Sequence, residues 1–240
     1  MQNEWNRRQV LQDATLAAVA LAGASAWAQK DEKSSGKESE PEVTATEDLM
    51  REHGVIRRAL LVYDELAQNI RKDPGSVDAA SLHKTAQLFR RFGEDYHERM
   101  LEEQHIFPIV QKMKGRAAEY PDVLIAQHNR GREVTDYVLS VTSGARIASN
   151  HGGPLADVLV GFVRMYENHA AREDTIVFPA WKTNFTNKQL DELSDQFEEI
   201  EHKMFGKDGF EDAENTISKI EASYGFTDIS QFTPPTPPKP

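Results

Sequence analysis

The 240-residue chain contains no cysteine. That absence removes disulfides, thiolate-held zinc, iron–sulfur clusters and cysteine nucleophiles together, so any bound metal must be held by His, Asp, Glu, Tyr or water. Positive charge is in short supply: 28 Lys and Arg face 39 Asp and Glu, for a net charge of -11 and a pI of about 5.2. Without a basic patch, binding to nucleic acid and to anionic membranes is excluded. No strand alternation persists anywhere, and there is no nucleophile elbow, phosphate loop or Ser-His-Asp order. The apolar run from Ala14 to Ala26 is alanine-rich and shorter than the roughly 20 residues a spanning helix needs.

That run belongs to an address. Asn6-Arg7-Arg8-Gln9-Val10-Leu11-Gln12 sets a twin arginine before it, and Ala26-Trp27-Ala28 fits the small-x-small rule for a signal peptidase. Residues 1–28 therefore read as a cleaved export signal of twin-arginine type. The mature form would carry no membrane anchor and would be periplasmic or secreted, its first partner being the twin-arginine export machinery. Residues 29–46 are Lys, Glu, Ser and Gly with little that is apolar, and read as a disordered linker.

From there the pattern is helical. A first helix beginning near Thr46 places Leu49, His53, Ile56, Leu60, Tyr63, Ala67 and Ile70 on one stripe. A second, over 77–113, shows Leu82, Ala86, Phe89, Gly93, Tyr96 and Met100, with Pro108 kinking it or ending its regular part. The third, over 122–141, turns Leu124, His128, Gly131, Thr135 and Val138 inward. Residues 144–154 read as a loop, with Pro154 in the first turn of a fourth helix that carries Leu155, Val158, Phe162, Met165, His169, Glu173 and Ile176. Thr186 and Gln189 form a capping box for a fifth helix, and a sixth over 210–224 ends at Gly225. The expected fold is all-α: an up-down-up-down four-helix bundle over 47–183, a C-terminal helical extension over 184–226 packed outside it, and a proline-rich tail over 227–240.

The chemistry sits in a repeat. His97 to Pro108 reads as His, then acid, then Phe-Pro, and His169 to Pro179 reads the same way. Leu49-Met50-Arg51-Glu52-His53 likewise parallels Leu124-Ile125-Ala126-Gln127-His128. One histidine on an apolar face is ordinarily a satisfied core residue. Four on four successive helices, two of them followed by carboxylates, would be expensive to bury unpaired. A metal ion satisfies His53, His97, Glu102, His128, His169 and Glu173 together.

In this order and with these Phe-Pro endings, the chain resembles the hemerythrin-like, or HHE cation-binding, family over roughly Asp48 to Pro179. The resemblance implies two non-heme iron ions near the bundle centre, bridged by Glu102 and Glu173 and capped by His53, His97, His128 and His169. It also implies a small diatomic or peroxide ligand, and a role in oxygen or redox sensing, storage or iron handling.

Two features depart from the family's pattern. His169 and Glu173 are four residues apart, about 40° around a regular helix, but His97 and Glu102 are five apart, about 140°. One inserted residue, a π-bulge between His97 and Glu102, would restore convergence; otherwise Glu98 or Glu103 should replace Glu102. The family's oxygen carriers place a further histidine at the position of Arg132, so more coordination positions are expected to stay open here. His202 is a candidate supplementary ligand, whereas His83 and His105 read as surface residues, and Tyr96, Tyr166 and Met165 as plain core.

Three other readings compete. A di-iron oxidase or peroxidase would use the same ligands for turnover. A ferritin-like centre would use the Glu-x-x-His spacings at Glu94/His97 and Glu199/His202. A metal-free helical interaction module would bind no ion at all.

Overall fold

Thr44 opens the first helix. Its hydroxyl accepts from the Glu47 amide at 3.4 Å and the Glu47 carboxylate accepts from the Thr44 amide at 2.8 Å, a reciprocal cap. In this computed structural model residues 43–238 are described; the export signal and the linker up to residue 42 lie outside them.

Six helices follow, with no strand among the described residues. Helix α1 is Ala45–Lys72. Helix α2 is continuous from Ala79–Leu88 through a stretch of wide turns at Phe89–Ile106 to Phe107–Val110. Helix α3 is Pro121–Val141. Helix α4 runs from Ser149–Arg172 through a wide turn at Glu173–Val177 into Phe178–Lys182. Helices α5, Asn187–Phe205, and α6, Gly209–Tyr224, complete the order. None of these is long and apolar enough to cross a membrane.

The partners fix the direction of each helix. Tyr63 meets Phe89 while Glu52 meets His97, so α1 and α2 are antiparallel. His83 meets Thr142 and His128 meets Glu103, which sets α3 antiparallel to α2. His53 meets Asp174 at one end of α4 and the Ile70 backbone lies by Gly152 at the other. The up-down-up-down bundle expected from the sequence is therefore present.

Within the core, Tyr63, Phe89, Phe162 and Tyr166 form an aromatic layer with centroids 4.7–6.2 Å apart, each fully buried ring contributing about 1.5–3 kcal/mol. Helices α5 and α6 pack outside the bundle. Arg58 of α1 bonds Glu221 and Ser218, the Tyr224 hydroxyl donates to the Asp78 carbonyl at 2.9 Å, and buried Trp181 stacks on Phe197. Gly206 and Gly225 end these two helices in the left-handed region, at φ 74° and 75°.

Two expectations are corrected. The fourth helix starts at Ser149, not Pro154, so much of the expected loop is helical. Pro154 sits in the second turn, and Gly152 gives the early start its room, since a Cβ there would press against the Pro74 ring. In α2 the inward stripe slips by one residue: Leu101 is buried and Met100 is not. The wide turns cause that slip.

Candidate metal centre

Between His97 and Glu102 the backbone widens as the five-residue spacing requires. Turns closed over five residues bring side chains i and i+5 onto one face, and the stretch ends where the Phe107 amide donates to the Glu102 carbonyl. Glu102 is fully buried and its Oε1 lies 3.3 Å from His97 Nε2. The second half, expected to be regular, contains a wide turn too: the Phe178 amide donates to the Glu173 carbonyl. It falls after Glu173, so the spacing from His169 stays four. Both wide turns precede a Phe-Pro step. A proline donates no amide proton and its ring crowds the carbonyl four residues back, and a widened turn relieves both.

The six expected ligands converge, all buried. Glu102 points Oε1 at His97 and Oε2 at His128 Nε2, each at 3.3 Å. Glu173 points Oε2 at His53 Nε2 at 3.5 Å and Oε1 at His169 Nε2 at 3.0 Å. Each carboxylate thus spans two histidine pairs, His53 with His97 and His128 with His169. Glu102, His128, His169 and Glu173 make one group able to hold an ion, and His53, His97 and Glu102 another. The Glu-x-x-His pairs of the competing ferritin-like reading make no metal group among the described residues. Glu94 bonds Thr135 at 2.5 Å, and Glu199 pairs with Lys203 on the surface.

The donor set fits a metal. All four oxygens of Glu102 and Glu173, and His97 Nε2, are buried without a hydrogen-bond partner. His128 Nε2 and His169 Nε2 stand 3.0 Å apart, close enough to share a proton or to ligate one metal ion. Adjacent ligands held at about 2.1 Å from one ion sit roughly 3 Å apart, which is the spacing seen throughout.

Every Nδ1 is held from outside. His53 donates to Asp174 at 2.7 Å, His97 to Glu52 at 2.7 Å, His128 to Glu103 at 2.9 Å and His169 to Gln127 at 2.9 Å. These bonds fix the tautomer that turns Nε2 inward. Arg57 in turn clamps Asp174, and Arg132 clamps Glu103 at 2.5 Å. Phe178 stacks on His53 and Phe107 on His128, with centroids 5.4 and 5.5 Å apart. The two halves of the repeat therefore correspond at His53 with Arg57 and His128 with Arg132 four residues on, and at Asp174 and Glu103, while Gln127 stands where the first half has Glu52.

Electrostatics lead the same way. Burial lowers the His128 imidazole, but Glu98, Glu102 and Glu103 outweigh it and push the pKa up to about 10. For His97, burial is again opposed, by Glu102 and Glu52, and the balance lies well above the usual value. Burial raises Glu173, yet His169 and His53 hold it well below the carboxylate range. Carboxylates this negative draw protons onto the imidazoles until a cation replaces them.

Other expectations need revision. His202 is exposed and joins no ligand group. His83 and His105 are half-buried: His83 bonds Thr142 at 3.0 Å and His105 packs on Phe197. Tyr96 and Tyr166 are core residues with polar work, donating to Glu52 at 3.1 Å and to Glu98 respectively. Arg132 does not simply leave space; it braces Glu103. Glu52, Asp174, Gln127 and Arg57 had no expected role in the site, and Glu103 was expected only as a substitute for Glu102. Extending the repeat outward would have found them, since each lies next to a ligand or four residues beyond one.

A helical bundle enclosing histidine pairs spanned by carboxylates defines a bundle-type cation-binding protein. Residues 44–181 match the hemerythrin HHE cation binding domain, and the chain belongs to that family. It is 40% identical over 234 residues to the uncharacterized protein Rv1995 of Mycobacterium tuberculosis (strain H37Rv), covering 95% of this chain and 91% of the relative. The same identity and coverage relate it to the uncharacterized protein Mb2018 of Mycobacterium bovis. No solved structure matches the chain.

Proposed function

We propose that the chain holds two iron ions, one at His53 and His97 and the other at His128 and His169, with Glu102 and Glu173 bridging them. The observation that carries this reading is that each carboxylate presents one unpartnered oxygen to each histidine pair. Iron held this way supplies a change of oxidation state and positions open to oxygen, peroxide or nitric oxide. The protein's own part is to keep the imidazoles in one tautomer, to offset the cations with two buried carboxylates, and to exclude bulk water behind Phe107 and Phe178. The function is binding of, or response to, a small oxidant, in a protein exported by the twin-arginine route and working in the periplasm or outside the cell. Iron analysis with optical spectra of reduced protein before and after air tests the centre: a stable new absorption supports binding, and continuous oxidant consumption would replace that reading with turnover. Blocking export by Arg7→Lys with Arg8→Lys tests the twin-arginine route, and a variant that still leaves the cytoplasm would overturn it, whereas wild-type protein retained in the cytoplasm would overturn the location.

A further inference from the structure

The outward bonds of the four histidines are alike except at one place. His53, His97 and His128 each donate Nδ1 to a carboxylate, from Asp174, Glu52 and Glu103. His169 donates to the Gln127 side-chain amide. Glu52 and Gln127 are equivalent in the repeat, each standing one residue before a ligand on α1 or α3 and reaching the histidine of the next helix. Glu52 is fully buried, so its charge acts on His97 through little screening; Gln127 is half-buried and uncharged. A carboxylate on Nδ1 makes Nε2 a stronger donor to a metal.

Glu98 adds a buried charge beside His128 but hydrogen-bonds neither ring of this pair. Its Oε2 lies 3.9 Å from His128 Nδ1, which Glu103 already holds at 2.9 Å, and its other oxygen takes the Tyr166 hydroxyl. Among the described residues His169 Nδ1 meets only the Gln127 side-chain oxygen.

We propose that the two metal positions are unequal: the His53–His97 position fills first and holds its ion more tightly, and the His128–His169 position, backed by Gln127, binds more weakly and exchanges. Glu52 and Gln127 are the positioning residues that set this order. The inference rests on the two-ion reading above.

The test is anaerobic titration of the full chain with Co²⁺, followed by calorimetry and visible absorption, with circular dichroism as the check on folding. Wild type is expected to take up two ions in two separate steps. Glu52→Gln should weaken the first step by about 10–100-fold and merge it with the second, and Gln127→Glu should tighten the second by about 10-fold. A gain of affinity on adding a charge at half-buried Gln127 is an effect that mere structural damage does not produce. In wild type, His169→Gln should abolish the second step and spare the first; in the exchanged pair Glu52→Gln with Gln127→Glu it should abolish the tighter one. Two ions bound in a single step, or two steps that neither substitution moves, would overturn the inference while leaving the two-ion reading intact. Fewer than two ions would overturn both.

Discussion

Replacing Gly131 by alanine should disturb the wall of the centre from a single methyl group. A Cβ at this position would overlap the Tyr166 hydroxyl and lie 3.1 Å from ring atoms Cε2 and Cζ. That ring has no slack, because Tyr166 is 3% exposed, packs on Phe89 and Phe162 and donates to buried Glu98. Relieving the overlap costs about 1–3 kcal/mol, and losing a bond to a charged acceptor costs about 1.5–3 kcal/mol. Alanine's advantage over glycine within a helix returns only about 0.5–1 kcal/mol, leaving a net loss of about 1.5–5.5 kcal/mol. Gly161 is the control, since a Cβ there meets nothing within 4 Å, so Gly161→Ala should stabilise by about 0.5–1 kcal/mol. Urea unfolding of chelator-treated protein followed by circular dichroism measures both. A Gly131→Ala variant as stable as wild type would refute the packing described between α3 and α4.

Other expectations concern charge and ligands. In metal-free protein the raised His128, at about 10, and the raised His97 contribute stability that is complete below the unfolded histidine value and lost as pH climbs toward 10. The urea midpoint should therefore fall between pH 7 and 9.5 after chelation, and a midpoint that rises there contradicts the charge balance. By the same linkage, calorimetry at pH 7 in buffers of different ionisation enthalpy should record protons released as metal binds; zero release would count against imidazole ligation. Glu102→Gln and Glu173→Gln should each impair both positions, because each carboxylate serves both histidine pairs, and the loss of one ion only would show that it bridges nothing. Arg57→Met and Arg132→Met should weaken metal binding to similar extents, roughly 10-fold, and a large inequality would argue against matched roles for the two arginines.

The histidine stripes were legible because α1, α3 and α4 keep a 3.6-residue period through the positions that matter, so His53, His128 and His169 fall in line with leucine and phenylalanine. Glu102 was legible only by setting the two Phe-Pro steps against each other, because a regular helix points it away from His97. The wide turn after Glu173 left no trace in spacing: His169 and Glu173 already satisfy a regular helix, and the widening follows them. Pro154 misled because proline marks first turns, whereas the close seating of Gly152 on Pro74 lets the helix begin earlier. Glu52 and Asp174 adjoin inward residues with no spacing signal of their own, and Glu103 was legible only as a substitute for Glu102. What distinguishes them is a partner on another helix, and only their recurrence in both halves could have announced it.

The proposed centre, two iron ions held in one buried site with Glu102 and Glu173, is open to direct measurement. Purified protein from iron-replete cells, analysed for metal and protein together, should carry about two iron ions per chain, and Glu102→Gln under the same conditions should carry fewer than one. Wild-type protein with no tightly bound iron, or with the same content as Glu102→Gln, would contradict it.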